Sequence, residues 1–174
     1  MRVPPRSLRS LPPEGARPAL GRPGGRALGM KFQVHIPFVE MLGFELIRFD
    51  PGVAEIAVPL RDELTNSWGV AHGGVTMTLL DVVMAHAART PGADGVAETS
   101  GVVTIEMKTT FLRPGLGRLV GTGRRLHRTA SMAFCEGSLV DAGGELIAHA
   151  TGTFKYLRGL PAGGKRIQRL NASD

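Results

Sequence analysis

The chain has 174 residues, 21 Lys and Arg against 15 Asp and Glu, and a single cysteine, Cys135. That length suits one domain with a substantial core, while no apolar run reaches the roughly 18–20 residues of a membrane-spanning helix. A lone cysteine excludes an internal disulfide and a cysteine-cluster zinc site, and it fits a reducing, cytoplasmic setting.

The formal charge of +6 looks like a nucleic-acid signal, but residues 1–29 hold six arginines against Glu14 alone. The basicity belongs to an end of the chain and says little about the folded part, so no nucleic-acid partner is expected. Residues 1–29 are rich in Pro, Gly and Arg without apolar periodicity, the composition of a disordered extension. They have no continuous apolar core for a secretory signal, and six prolines oppose the amphipathic helix of a transit peptide. Met30 is the expected true start. The folded domain is expected over 30–158, with a basic, Gly- and Pro-containing tail over 159–174.

From Met30 the composition changes. Residues 37–42 read as a short helix broken at Gly43, followed by a strand. Asp50-Pro51-Gly52 is a turn, and 53–60 alternates, with Ala54, Ile56 and Val58 on one face. A loop over 64–71 leads through His72-Gly73-Gly74 into a run free of Gly and Pro until Pro91, and Pro91 to Gly95 marks its end. That run carries Val75, Met77, Leu79, Leu80, Val82, Val83, Met84, Ala85, Ala87 and Ala88, apolar almost all round, as expected of a buried helix. Asp81 sits two turns into it. An ionised carboxylate there is costly unless it is paired or has a task.

After the helix the period changes to two. Val103, Ile105, Met107 and Phe111 are expected on one face of a strand, with Thr104, Glu106, Lys108 and Thr110 on the other. Strands over 118–128, 133–141 and 145–156 follow, the last two joined by a turn at Asp141 to Gly144. The order β-β-α-β-β-β-β, with strands beside their sequence neighbours after the helix, gives an antiparallel sheet wrapped around one long helix, an α+β fold.

Asn66 lies six residues before His72-Gly73-Gly74, Asp81 nine after the histidine, and a strand ends in Thr110-Phe111-Leu112-Arg113-Pro114. This pattern resembles the hotdog fold, and in its spacing the phenylacetate-pathway (PaaI-like) branch of hotdog acyl-CoA thioesterases, over residues 36–157. The resemblance implies hydrolysis of an acyl-CoA thioester to the carboxylic acid and free coenzyme A, the coenzyme being part of the substrate, with no cofactor and no metal. It implies that the Gly73 N–H polarises the thioester carbonyl, that Asn66 and His72 position it, and that Asp81 acts as base or nucleophile. It places Thr104 in the site wall; Gly74, Val75 and Arg113 are further expected substrate contacts.

Independent chemistry points the same way. The first N–H groups of a helix lack intrahelical partners and sit at the positive end of its dipole. Such donors stabilise charge developing on a thioester oxygen, and glycines let the carbonyl approach. A carboxylate with a tuned pKa supplies the base or nucleophile.

Gly73 and Asp81 are eight residues apart, about 12 Å along a helix, whereas reacting atoms must approach to about 3–3.5 Å. One site is therefore expected to combine Gly73 and Asn66 of one subunit with Asp81 of another. The resemblance implies the same, a homodimer or a tetramer of two dimers.

Blander readings compete. Asn66 can merely shape its loop, His72 can bond the backbone, a threonine in a strand needs no special role, and Asp81 can pair with Arg89. The family commonly has Gly followed by Lys or Arg at the hairpin after the 118–128 strand, where Thr129-Ala130 stands here. Arg113, Arg124, Arg125 and Arg128 are the substitutes for meeting coenzyme A phosphates. The alternative function is a non-catalytic acyl-CoA sensor, against which the retained Asp81 argues. A hotdog hydratase lacks its Asp at the expected spacing before His72.

Overall fold

The computed structural model describes residues 30–32, 34–91 and 101–157. The expected extension over 1–29, the tail over 159–174 and most of the helix-ending Pro91 to Gly95 lie outside the described residues. The elements are α1 (Pro37–Leu42), β1 (Glu45–Asp50), β2 (Val53–Pro59), a 3-10 turn (Asp62–Leu64), α2 (Gly73–Arg89), β3 (Gly101–Phe111), β4 (Arg118–Arg128), β5 (Met132–Val140) and β6 (Leu146–Leu157). All six strands form one antiparallel sheet that packs across α2. This is the expected α+β architecture.

Local chemistry sets the ends. Gly43 stops α1 in the left-handed conformation, φ 73°, which a residue without a Cβ takes at little cost. Helix α2 begins at His72, whose Nδ1 accepts from the Gly74 N–H at 3.0 Å. Its last carbonyls are taken by side chains. Arg125 donates to the Ala88 and Thr90 carbonyls at 3.1 and 2.9 Å, and the Tyr156 hydroxyl donates to Ala88 at 2.8 Å. A cation there also complements the negative end of the helix dipole.

Three expectations need correcting. First, β3 does not pair with β4. The sheet order is β1-β2-β4-β5-β6-β3, so β3 forms an edge beside β6 and β4 lies next to β2. The 112–117 segment makes this possible by crossing the end of the sheet. Leu112 and Arg113 donate to the Ile147 carbonyl at 2.8 and 3.2 Å, Ala71 donates to Gly115 at 3.0 Å, and Leu60 donates to Gly117 at 2.9 Å. A side chain at position 115 would run into Ile147.

Second, the register of β3 slips between Thr104 and Glu106, leaving Ile105 as an extra residue. Such a bulge switches which parity faces the helix. Val102 and Thr104 face α2 before it; Met107 and Phe111 face it afterwards, and Ile105 is 57% exposed.

Third, α2 is covered on one side only. Leu79, Leu80, Val83, Met84, Ala87 and Ala88 are buried, but Met77 is 41% exposed and Val75, Asp81, Val82 and Ala85 are half-buried. The curled sheet reaches one face of the helix, and the chain's own described residues leave the other open.

Candidate active site

The residues expected to carry the chemistry fall in two groups, at different points of α2. The first is the turn and cap at its N-terminus. Asn66 Oδ1 accepts from the Trp68 N–H at 2.9 Å, the Gly69 N–H donates to the Asn66 carbonyl at 2.9 Å, and Gly69 takes φ 71°. The oxygen of the Asn66 amide therefore holds the turn, as the blander reading requires. Its Nδ2 donates to none of the described residues and remains available as a donor.

His72 caps the helix, also as the blander reading requires. With Nδ1 accepting from Gly74, a neutral His72 carries its proton on Nε2 and presents that N–H outward. The same bond occupies the Gly74 N–H. The Gly73 N–H has no partner among the described residues. The Phe111 ring lies against Gly73, 3.6 Å from where a Cβ would stand. Val75 is half-buried and packs on the core from the first turn.

The second group lies two turns further on. Asp81 Oδ1 accepts from the Thr104 hydroxyl at 2.7 Å, so the carboxylate's described partner is on β3. Burial pushes the Asp81 pKa up from its ordinary value, and the Thr104 bond partly offsets this. Desolvation disfavours the ion, while a donated hydrogen bond favours it. The bulge that changes the parity of β3 gives Thr104 more than a wall position. It binds the carboxylate directly.

The arginines are less available than their number suggests. Arg125 is tied to the C-terminus of α2, and Arg124 donates to Glu136 at 2.8 Å. Arg113 donates to the Leu146 carbonyl at 3.0 Å with Glu145 beside it at 3.6 Å. Arg128 stacks over the Tyr156 ring at 5.1 Å. Burial pushes the Cys135 thiol up to about 12, which removes it as a nucleophile at neutral pH. Sequence reasoning passed over Trp68. Its signal was an indole in a turn that leads directly into His72-Gly73-Gly74.

The thioesterase superfamily profile matches residues 69–148, which include the glycines, Asp81 and Thr104. An inferred esterase of Saccharolobus solfataricus is 32% identical over 120 residues, spanning 68% of this chain and 82% of that protein. This chain belongs to the thioesterase superfamily. Its enzyme class, expected from the sequence, is thioester hydrolase. A second relative is the medium/long-chain acyl-CoA thioesterase YigI of Salmonella typhimurium, 28% identical over 141 residues, 74% of this chain and 91% of that one. Among solved structures, the Escherichia coli PaaI protein from the phenylacetic acid degradation operon superimposes with a TM-score of 0.62 over 73% of this chain and 85% of that one. At 22% identity it shows a shared hotdog fold.

Proposed function

We propose that this chain is an acyl-CoA thioesterase, cleaving an aromatic or medium-chain acyl-CoA to the carboxylic acid and free coenzyme A. The observation that carries the proposal is a half-buried carboxylate, Asp81, held by Thr104 on the same helix as the uncommitted Gly73 N–H. The Gly73 N–H stabilises the negative charge that gathers on the thioester oxygen in the transition state. Asn66 Nδ2 and His72 Nε2–H orient that oxygen from the preceding turn. Asp81 takes a proton from water as it adds to the carbonyl carbon; the C–S bond then breaks, and the leaving sulfur takes that proton from Asp81 to depart as coenzyme A and restore the carboxylate. Direct attack by Asp81, with water cleaving the resulting anhydride, gives the same products.

The two groups stand about 12 Å apart along one helix, so a site is completed by a second copy. Among the described residues β3 is paired on one side only, and the face of α2 bearing exposed Met77 and half-buried Asp81 is only partly covered. Joining two copies there sets Asp81 of one beside Gly73 of the other, in a homodimer or a tetramer of two dimers.

The test is thiol release from a panel of acyl-CoAs by the wild type and Asp81→Asn. Hydrolysis that drops at least about a hundredfold in the variant is expected for loss of a base. Acyl-CoA binding without release from any substrate overturns the enzymatic reading in favour of a sensor. A stable monomer by light scattering overturns the shared site.

A further inference from the structure

The chain's one tryptophan, Trp68, is 85% exposed. An indole carries a large apolar surface and is ordinarily well buried. Trp68 does not stand on a loose segment. Its N–H is held by Asn66 Oδ1 at 2.9 Å, the Asn66 N–H donates to Val70 at 2.9 Å, and Thr65 and Ala71 close the turn as a β-bridge. Asn66, given above to the thioester carbonyl, is thus the residue that fixes the indole's backbone.

Other bare apolar side chains lie on the segments meeting at the same end of α2. Phe111 is exposed and lies against Gly73, while the Ala71–Gly115 hydrogen bond brings the crossing with exposed Leu112 and Leu116 alongside the turn. A thioester held at the Gly73 N–H extends two arms. The coenzyme A arm carries phosphates and needs cations, and the cation on this crossing, Arg113, is engaged with Leu146 and Glu145. The acyl arm needs apolar surface, which is what Trp68 and its neighbours offer.

We infer that Trp68 packs on the acyl group and makes the enzyme select large apolar acyl groups, extended alkyl or aryl, over short ones. The inference rests on the thioesterase reading above. Each methylene buried against the indole is worth about fourfold in kcat/KM.

As the one tryptophan, Trp68 reports its own surroundings by fluorescence in the intact protein. Its emission is expected to shift to the blue with a long-chain thioether analogue of acyl-CoA, and to stay unmoved with coenzyme A alone or the acetyl analogue. An equal shift with coenzyme A alone overturns the inference by placing the indole on the nucleotide arm. Emission that is already blue, insensitive to ligand and dependent on protein concentration overturns it by placing the indole against a second copy.

In kinetics, Trp68→Ala is expected to lower kcat/KM for long or aryl substrates by about tenfold, through KM, and to leave acetyl-CoA within about twofold. Trp68→Phe keeps part of the preference and guards against misfolding of the alanine variant. An equal fall at every chain length marks damage to the turn and overturns the inference. A wild type that hydrolyses nothing overturns the thioesterase reading instead, and the emission titration still tests Trp68.

Discussion

The Thr104 hydroxyl donates to Asp81 Oδ1 at 2.7 Å, which ties the edge strand to a half-buried carboxylate on the central helix. Burial raises the Asp81 pKa above its ordinary 3.8, and this bond pulls it back down. Catalysis through ionised Asp81 should therefore fall on the acid side, with a midpoint above 3.8. Thr104→Val removes the stabilising donor, so its midpoint should lie higher still, and Thr104→Ser should restore the wild-type limb. Profiles of log kcat/KM against pH for the three proteins check this. An unmoved limb in Thr104→Val would mean that Asp81 does not govern the rate.

The same carboxylate separates activity from stability. A folded-state pKa above the unfolded one means that the fold holds the Asp81 proton more tightly. Its contribution is lost as pH rises through that window and the unfolded chain ionises first. At neutral pH the charged group is then a liability to the fold, as groups at working sites often are. Asp81→Asn keeps an acceptor for Thr104 without the charge. It should match or exceed the wild type in Tm at pH 7 while losing about a hundredfold or more in kcat. The Tm difference should vanish below the ordinary Asp range, where both forms are neutral. Thermal melts across pH decide it, and a large loss of Tm at pH 7 would give Asp81 a structural role.

Features written within a few residues were legible before the structure. Gly43, the Asp50-Pro51-Gly52 turn and the Asp141 to Gly144 turn punctuate the chain where expected, and the His72-Gly73-Gly74 spacing placed Gly73 and Asp81 on one helix. The partner of β3 was not legible, because strand pairing is not a local property. It depends on the 112–117 crossing, which needs the space left by Gly115. The bulge at Ile105 reversed the assigned faces for the residues before it and left Met107 and Phe111 on the expected face, since alternation carries no mark of an extra residue. An all-round apolar helix also says that every face seeks cover without saying whether its own sheet or a second chain provides it. For α2 the sheet supplies one side only.

Close packing of that covered side makes Gly123 a sensitive position. It lies on β4 where a Cβ would run into the Val83 backbone carbonyl, and backbone cannot rotate aside as a side chain can. Gly123→Ala should destabilise by about 2 kcal/mol, the scale of an overpacked core. Urea denaturation should show a lower midpoint with an unchanged slope. A midpoint equal to the wild type would mean that the helix shifts off the strand at no cost.

His86 supplies a stability switch unrelated to the site. It is buried on α2, with its Nδ1 2.7 Å from the Val82 carbonyl and the Phe32 and Phe49 rings packed edge-on against it. Burial lowers its pKa from 6.5 to about 4, with the Val82 bond opposing that and nearby Arg89 adding to it. The folded state therefore stays neutral at pH values where an unfolded His86 is protonated. Stability from this group is intact above about pH 6.5 and is lost as pH falls toward 4, by about 1.4 kcal/mol per unit and about 3 kcal/mol in all. His86→Leu removes the titration and fills part of the same space. Its unfolding free energy should be lower than the wild type at pH 7 through the lost Val82 bond and imperfect packing, yet fall less steeply between pH 6.5 and 4. Parallel slopes for the two proteins would mean that His86 takes up its proton without unfolding the chain, and that carboxylates alone set the acid limit.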